Sequence, residues 1–132
     1  MKRIAYIFIL IGLFFLTAGC WMNSSDDTPG NCPPYAVIGP SSPQDFPEDT
    51  GDKTFQLVID EQGGKKDPDG DTVYFKSSTL PSWISLDENT GEVTVDTTDS
   101  QDAEDYLFWS EDEHGDDSQS SAHIIAISVT FS

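Results

Sequence analysis

Positive charge is what this sequence has least of. Its 132 residues include six lysines and arginines against 24 aspartates and glutamates, and the formal net charge is −18 at pH 7. A surface this acidic repels nucleic acid and anionic lipid headgroups, because both are negatively charged. We therefore expect no nucleic acid among its partners. The charge itself fits three explanations: solubility of an exposed protein, adaptation to high salt, or a need for divalent cations.

Histidine and cysteine are also scarce, with two of each. Neither His114 nor His123 has a second histidine or cysteine at a zinc-ligand spacing, which argues against zinc. The sequence also lacks a Gly-x-Ser-x-Gly elbow, a phosphate-binding glycine loop and a cysteine–histidine nucleophile pair. We therefore expect that the chain is not an enzyme.

The N-terminus has the layout of a secretory signal. Lys2 and Arg3 precede an unbroken apolar run over residues 4–16, and three small residues lead to Cys20. The run is shorter than the about 20 apolar residues that a transmembrane helix needs. We therefore expect the segment to be removed rather than kept as a membrane span.

The end of this signal, Leu16 to Cys20, resembles the lipobox of bacterial lipoproteins. Thr17 stands where that motif usually has leucine. The resemblance implies that residues 1–19 are cleaved and that the Cys20 thiol carries a lipid such as palmitate, which anchors the chain in the cell envelope. No aspartate follows Cys20, which favours the outer membrane or the cell surface over the inner membrane. The alternatives are an ordinary thiol or an uncleaved N-terminal anchor.

Residues 20–34 read as a lipidated end followed by a flexible linker, rich in Ser, Asp, Asn, Gly and Pro and without apolar periodicity. If Cys20 is acylated, Cys32 has no second cysteine within its own chain. Cys32 is then an inert thiol or pairs with another chain, and we favour the inert thiol.

The rest of the chain, residues 35–132, predicts one small all-β domain. Short β-branched and aromatic runs alternate with turn clusters, and none has the period of a helix. The predicted strands are Tyr35–Ile38, Thr54–Ile59, Thr72–Lys76, Trp83–Leu86, Glu92–Val95, Tyr106–Trp109 and Ile124–Phe131. About seven antiparallel strands with frequent turns indicate an immunoglobulin-like β-sandwich.

Alternation along the strands predicts which side chains are buried. Phe55, Leu57 and Ile59 share one face, and the apolar residues of the last run, ending at Phe131, share another. Trp83 and Trp109 fit core packing better than the stacking of sugar rings, since both lie within strands.

Several segments along this domain resemble, in order, the motifs of bacterial cadherin-like domains of the dystroglycan type. They are Asn31-Cys32-Pro33-Pro34, Pro47-Glu48-Asp49, Asp67-Pro68-Asp69-Gly70-Asp71, the hairpin Leu80 to Gly91 and the segment Tyr106 to Gly115. The resemblance implies a cadherin-like β-sandwich with a role in adhesion. Val95-Asp96 departs from the glycine of many relatives, and the Asp-x-Asn-Asp-Asn linker motif of tandem cadherins does not occur.

The aspartate loop is the main candidate metal site. Asp67, Asp69 and Asp71 alternate along a short loop, and Ca²⁺ takes six to eight oxygen ligands from such side chains. Asp112, in the loop before the last strand, and Asn31, ahead of the first strand, complete the set that the resemblance implies. The alternative is a polar turn without metal, since Asp, Pro and Gly are ordinary turn residues. Glu48, Asp102 and Glu104 resemble the calcium ligands at the far pole of tandem cadherins. They are the weaker candidate for a calcium site.

These observations favour a surface-tethered, non-enzymatic binding or adhesion lipoprotein in which calcium stiffens one pole. Its partner is an unidentified protein or carbohydrate, in addition to the membrane that the lipid contacts. The alternative is a metal-free structural or accessory lipoprotein of a cell-envelope complex. The two differ in whether the candidate aspartates converge on one place.

Overall fold

The computed structural model describes residues 31–131. It divides the chain into two units, Met1–Cys32 and Pro33–Ser132. The predicted signal peptide, Cys20 and most of the predicted linker lie outside the described residues. Over the described part of the chain, no helix is long and apolar enough to cross a membrane.

Cys32 differs from expectation, because it is disulfide-bonded. The inert thiol that we favoured for Cys32 is therefore wrong for this structure. That expectation assumed that acylation takes Cys20 out of pairing, and the sequence contains only two cysteines. Acylation of Cys20 and an intrachain disulfide at Cys32 thus exclude each other.

The larger sheet has four strands in the order β2–β9–β8–β5. These are β2 (Gln44–Pro47), β9 (His123–Thr130), β8 (Gln101–Asp112) and β5 (Val73–Ser77). The pairs β9–β8 and β8–β5 are antiparallel, whereas β2 runs parallel to β9.

The second layer contains a three-stranded sheet in the order β3–β7–β6 and the two-stranded ribbon β1–β4. Its strands are β1 (Val37–Ile38), β3 (Lys53–Gln56), β4 (Val58–Ile59), β6 (Ile84–Leu86) and β7 (Glu92–Val95). Only Leu57 separates β3 from β4, so the two continue one line of chain. Gln119–Ser121 forms a short 3₁₀ turn before β9. This order is that of an immunoglobulin-like, cadherin-like β-sandwich, as the sequence predicted.

The core lies between the two layers and follows the alternation of the strands. Its buried members are Val37, Leu57, Ile59, Phe75, Ile84, Val93, Val95, Tyr106, Phe108, Ile125, Ile127 and Val129. Phe55 of β3 meets Phe108 of β8 edge to face, with ring centroids 6.5 Å apart. Trp83 meets Tyr106 in the same way at 6.3 Å. The predicted shared face of β3 and β4 is confirmed.

Three features of the larger sheet differ from expectation. Strand β2 was not predicted, because Gln-Asp-Phe-Pro has no β-branched residue. It is held by β9, where the Asp45 carboxylate accepts hydrogen bonds from the hydroxyls of Ser128 and Thr130, at 2.8 and 3.0 Å. Strand β8 is also longer than the run Tyr106–Trp109. Phe131, expected inside, is 85% exposed because β9 ends before it.

The turn between β6 and β7 fits the predicted hairpin. The Asp87 carboxylate accepts hydrogen bonds from the backbone N–H groups of Asn89 and Thr90, at 2.9 and 3.2 Å. These bonds hold the pKa of Asp87 below its usual range. Gly91 closes the turn with φ of 77°, a conformation that favours glycine.

Replacing Gly91 with alanine should therefore cost more stability than the same change at Gly51, which has the same φ of 77°. Both substitutions carry similar backbone strain, about 1–2 kcal/mol. A Cβ at position 91 would lie 2.7 Å from the Leu57 carbonyl oxygen and 2.8 Å from Phe75 Cζ, whereas nothing lies within 4 Å at position 51. We expect Gly91→Ala to lose about 1–3 kcal/mol more in urea unfolding. Equal losses would contradict this packing.

Candidate functional site

Two loops meet at one end of the larger sheet. The antiparallel register places Val73, at the start of β5, opposite Asp112, at the end of β8. The loop before β5 and the loop after β8 are therefore neighbours. They are joined directly, since the Glu113 N–H donates to the Thr72 carbonyl oxygen at 3.0 Å and the Thr72 N–H donates to Glu113 Oε1 at 3.3 Å.

The first loop is closed by Asp67, which is 1% exposed. Its Oδ1 accepts hydrogen bonds from the N–H groups of Asp69 and Asp71, at 2.7 and 3.4 Å. The Gly70 N–H donates a hydrogen bond to the Asp67 carbonyl oxygen at 3.1 Å. The other carboxylate oxygen, Oδ2, is buried and has no hydrogen-bond partner. One oxygen of Asp67 thus holds the loop, and the second is left for another group.

The second loop repeats this design around Asp112, which is 2% exposed. Asp112 Oδ1 accepts hydrogen bonds from the N–H groups of His114 and Asp116, at 2.9 and 3.0 Å. The Gly115 N–H donates to the Asp112 carbonyl oxygen at 3.2 Å. Both loops therefore have the sequence Asp-x-x-Gly-Asp, with the same bonds from the third and fifth residues to the first carboxylate.

The two loops bring three carboxylates together. One oxygen each of Asp67, Asp71 and Asp112, here called the three-aspartate cluster, lies within 4.8 Å of the others. Burial raises the pKa of Asp67 above its usual range, and the charges of Asp71 and Asp112 raise it further, against two backbone hydrogen bonds that lower it. Ionised Asp67 therefore costs stability at neutral pH. That cost disappears as the pH falls through the raised pKa.

A second group of close donors shares Asp71 with the cluster. It comprises Asp71, Glu113 and His114, and the last two are exposed. His114 Nε2 lies 3.6 Å from Asp71 Oδ2. Because exposed acidic groups are common on protein surfaces, the buried cluster is the stronger candidate for a cation.

The donor set of the three-aspartate cluster fits a hard cation. Three carboxylates offer oxygen ligands only, which Ca²⁺ prefers over the nitrogen and sulfur ligands of zinc. The buried, unpartnered Oδ2 of Asp67 is the kind of atom that a bound ion would satisfy. The cluster can therefore supply part of a calcium coordination shell, with backbone carbonyls or water completing it.

The other predicted ligands are not members of this cluster. Asp69 is exposed and outside the three-carboxylate group. Asn31 is buried but belongs to the first unit, and both residues stay predictions. At the predicted second pole, Glu48 Oε1 accepts the Ser100 N–H at 3.0 Å.

Asp102 and Glu104, the other two residues of that pole, are exposed. The carboxylate of Glu104 accepts the Tyr106 hydroxyl at 3.4 Å. Among residues 31–131, Glu48, Asp102 and Glu104 do not form a group of close metal donors. The structure does not bring this pole together.

Asp116 is the site residue that sequence reasoning missed. Its backbone N–H donates to Asp112 Oδ1, and its carbonyl oxygen accepts the Asp112 N–H. Asp116 therefore fixes the second loop. The repeat of Asp-x-x-Gly-Asp at residues 67–71 and 112–116 was the signal that could have revealed it.

The two strand tryptophans occupy different faces. Trp83 packs against the core, as predicted. Trp109 lies between Phe108 and Ser110, which are both fully buried and face inward. Alternation therefore turns Trp109 to the outer face of the sheet, and its predicted place in the core is wrong. Its indole Nε1 has no hydrogen-bond partner.

No protein-family model matches the sequence, and no curated protein matches it. Several solved structures align with about three quarters of this chain at low similarity. A candidate alpha-galactosidase/melibiase from Bacteroides fragilis aligns with 74% of this chain and 18% of its own, at 10% identity and a TM-score of 0.47. Human protocadherin-24 EC1-2 aligns with 72% of this chain and 44% of its own chain, at 17% identity and a TM-score of 0.47.

A third similar structure, titin M4, aligns with 75% of this chain and 98% of its own, at 8% identity and a TM-score of 0.34. This chain thus spans well under two thirds of the first two proteins. Because all three similarities are low, the fold assignment rests on the strand order of the chain itself.

Proposed function

We propose that this chain is a surface-tethered, non-enzymatic binding or adhesion module in which calcium stiffens the pole formed by the two Asp-x-x-Gly-Asp loops. The observation that carries the proposal is the convergence of the three-aspartate cluster, in which Asp67 also has a buried Oδ2 without a hydrogen-bond partner. The sandwich supplies a rigid support, and the loops at its end are the usual place for recognition.

Electrostatic repulsion is the reason to propose a cation. Two unit charges 4 Å apart repel by about 4 kcal/mol at an effective dielectric constant of 20. The cluster holds three carboxylates at comparable spacing, two of them almost completely buried. A divalent cation between them would turn this repulsion into attraction and would tie β5 to the end of β8.

The metal-free alternative is also supported by a specific observation. The Oδ1 atoms of Asp67 and Asp112 each accept two backbone N–H groups. These bonds close both loops without metal. In that case the chain would be a structural or accessory lipoprotein of a cell-envelope complex, and calcium would not change its stability.

Thermal unfolding of the purified full chain should separate the two functions. We expect Ca²⁺ to raise the melting temperature relative to EDTA. At a free Ca²⁺ concentration of a hundred times the dissociation constant, the free energy of unfolding should increase by about 2.7 kcal/mol. Asp67→Asn should abolish this rise. In EDTA the same variant should be at least as stable as the unmodified chain, because it removes a buried charge whose pKa is raised.

Asp99→Asn is the matched control, since Asp99 is exposed and precedes β8, whereas Asp112 ends it. It should keep the full response to Ca²⁺, and Mg²⁺ should produce a smaller one. No response of the unmodified chain to millimolar Ca²⁺ would contradict the calcium proposal and favour the metal-free function.

The tether is the second part of the proposal. It rests on the similarity of Leu16 to Cys20 to a lipobox and requires that Cys20 is acylated in the cell instead of forming an intrachain disulfide with Cys32. The proposed location is the cell envelope, with the outer membrane or the cell surface favoured. A single acyl chain gives only weak attachment, so stable anchoring requires the several chains that lipoprotein processing adds.

Mass spectrometry of the chain from membranes of a lipoprotein-processing bacterium should show Cys20 as the first residue, with acyl chains attached. Cys20→Ser should remain unacylated, and Cys32→Ser, the matched control, should be acylated normally. An unacylated chain in which Cys20 is bonded to Cys32 would contradict the tether.

A further inference from the structure

A groove of about 450 Å³ lies beside the second loop. It is lined by Tyr74 and Lys76 of β5, Glu88 of the β6–β7 turn, Glu111 at the end of β8 and residues 112–115. We call it the outer groove, because Tyr74, Lys76 and Glu111 alternate with the buried residues Phe75, Ser110 and Asp112. It shares Asp112 with the three-aspartate cluster, whereas Asp67 and Asp71 do not line it.

The outer groove carries an excess of negative charge. Among the residues that line the groove, Lys76 is the one lysine. Its ammonium group lies 3.1 Å from both carboxylate oxygens of Glu88. That pair leaves the charges of Glu111 and Glu113, which also line the groove, without a lysine to compensate them. Within residues 31–131, Glu111 makes no salt bridge. The groove therefore favours a ligand that brings positive charge.

An aromatic ring stands beside the uncompensated carboxylate. Tyr74 is the direct cross-strand partner of Glu111, and Trp109 is the partner of Lys76. Side chains of such pairs lie about 5 Å apart at Cβ. A carboxylate next to an aromatic face suits guanidinium, which can bond the carboxylate in a bidentate manner and stack on the ring.

Apolar side chains continue along the same face. Leu107 and Ile124 are cross-strand partners, and Ile124 is 52% exposed. Leu107 lies four residues before Glu111 on β8, which is roughly 13 Å along a strand. An extended peptide covers that distance with about four residues, so one segment can contact both places.

We propose that the outer groove binds an arginine-bearing segment of a partner protein, with an apolar residue about four positions away resting on Leu107 and Ile124. The chain's net charge of −18 would attract such a segment from a distance. A neutral carbohydrate would leave the groove's charges unused. This inference deepens the proposed binding role by naming its partner class, and it does not require calcium to bind.

The test is fluorescence anisotropy of a labelled hexa-arginine peptide with the purified full chain at physiological salt. Charge reversal by Glu111→Lys should weaken binding at least tenfold, about 1.4 kcal/mol. The matched control is Glu92→Lys, an equal charge change at an exposed position on β7 of the other sheet. It should weaken binding by less than about threefold, a difference below about 0.7 kcal/mol.

Glu111→Gln protects the test against misfolding of the charge-reversed chain and should weaken binding more than Glu92→Gln. Equal losses at positions 111 and 92 would overturn the proposal, because attraction would then come from the whole acidic surface. Binding of maltohexaose but not of the peptide would overturn it in favour of a carbohydrate partner.

The calcium melting experiment on the same variants separates this proposal from the proposed function. If the Glu111→Gln variant keeps the calcium-induced rise in melting temperature but no longer binds the peptide, the loss of binding is assigned to the groove. Groove-dependent peptide binding by a chain without a calcium response would support the groove and contradict only the calcium site.

Discussion

The antiparallel pairing of β5 with β8 is the constraint on which the candidate site depends. Its register sets Val73 opposite Asp112, so the loop that enters β5 and the loop that leaves β8 must share one end of the sheet. Residues more than forty positions apart in the chain thereby become neighbours. Without this pairing, each aspartate loop would be an isolated polar turn with no common position for a cation.

Each loop also limits what its buried aspartate can do. In both loops, Oδ1 of the first aspartate accepts hydrogen bonds from the N–H groups of the third and fifth residues. These bonds fix the side chain and orient it before any ligand arrives. For Asp67 the result is a buried Oδ2 without a hydrogen-bond partner, in a carboxylate that lies close to two others. Such an arrangement lowers the entropy cost of binding an ion, at the expense of stability without it.

Sequence reasoning could predict the features that local chemistry determines. Alternation identified the inward faces of β3, β4 and β9, and the glycine at position 91 identified the turn that needs positive φ. The spacing within one loop grouped Asp67 with Asp71, but Asp112 joined them only through a family resemblance, because strand register cannot be read from single runs. Strand β2 was missed since its stability comes from Ser128 and Thr130 on β9. The outward position of Trp109 was missed because both faces of β8 carry apolar residues.

A crystal structure of the chain grown with calcium, measured where calcium scatters anomalously, tests the central claim most directly. We expect one anomalous peak about 2.3–2.6 Å from an oxygen of each aspartate in the cluster, with Asp67 Oδ2 among the ligands. A structure without a peak at this position, with Asp67 Oδ2 hydrogen-bonded to water or to a protein donor, would contradict it.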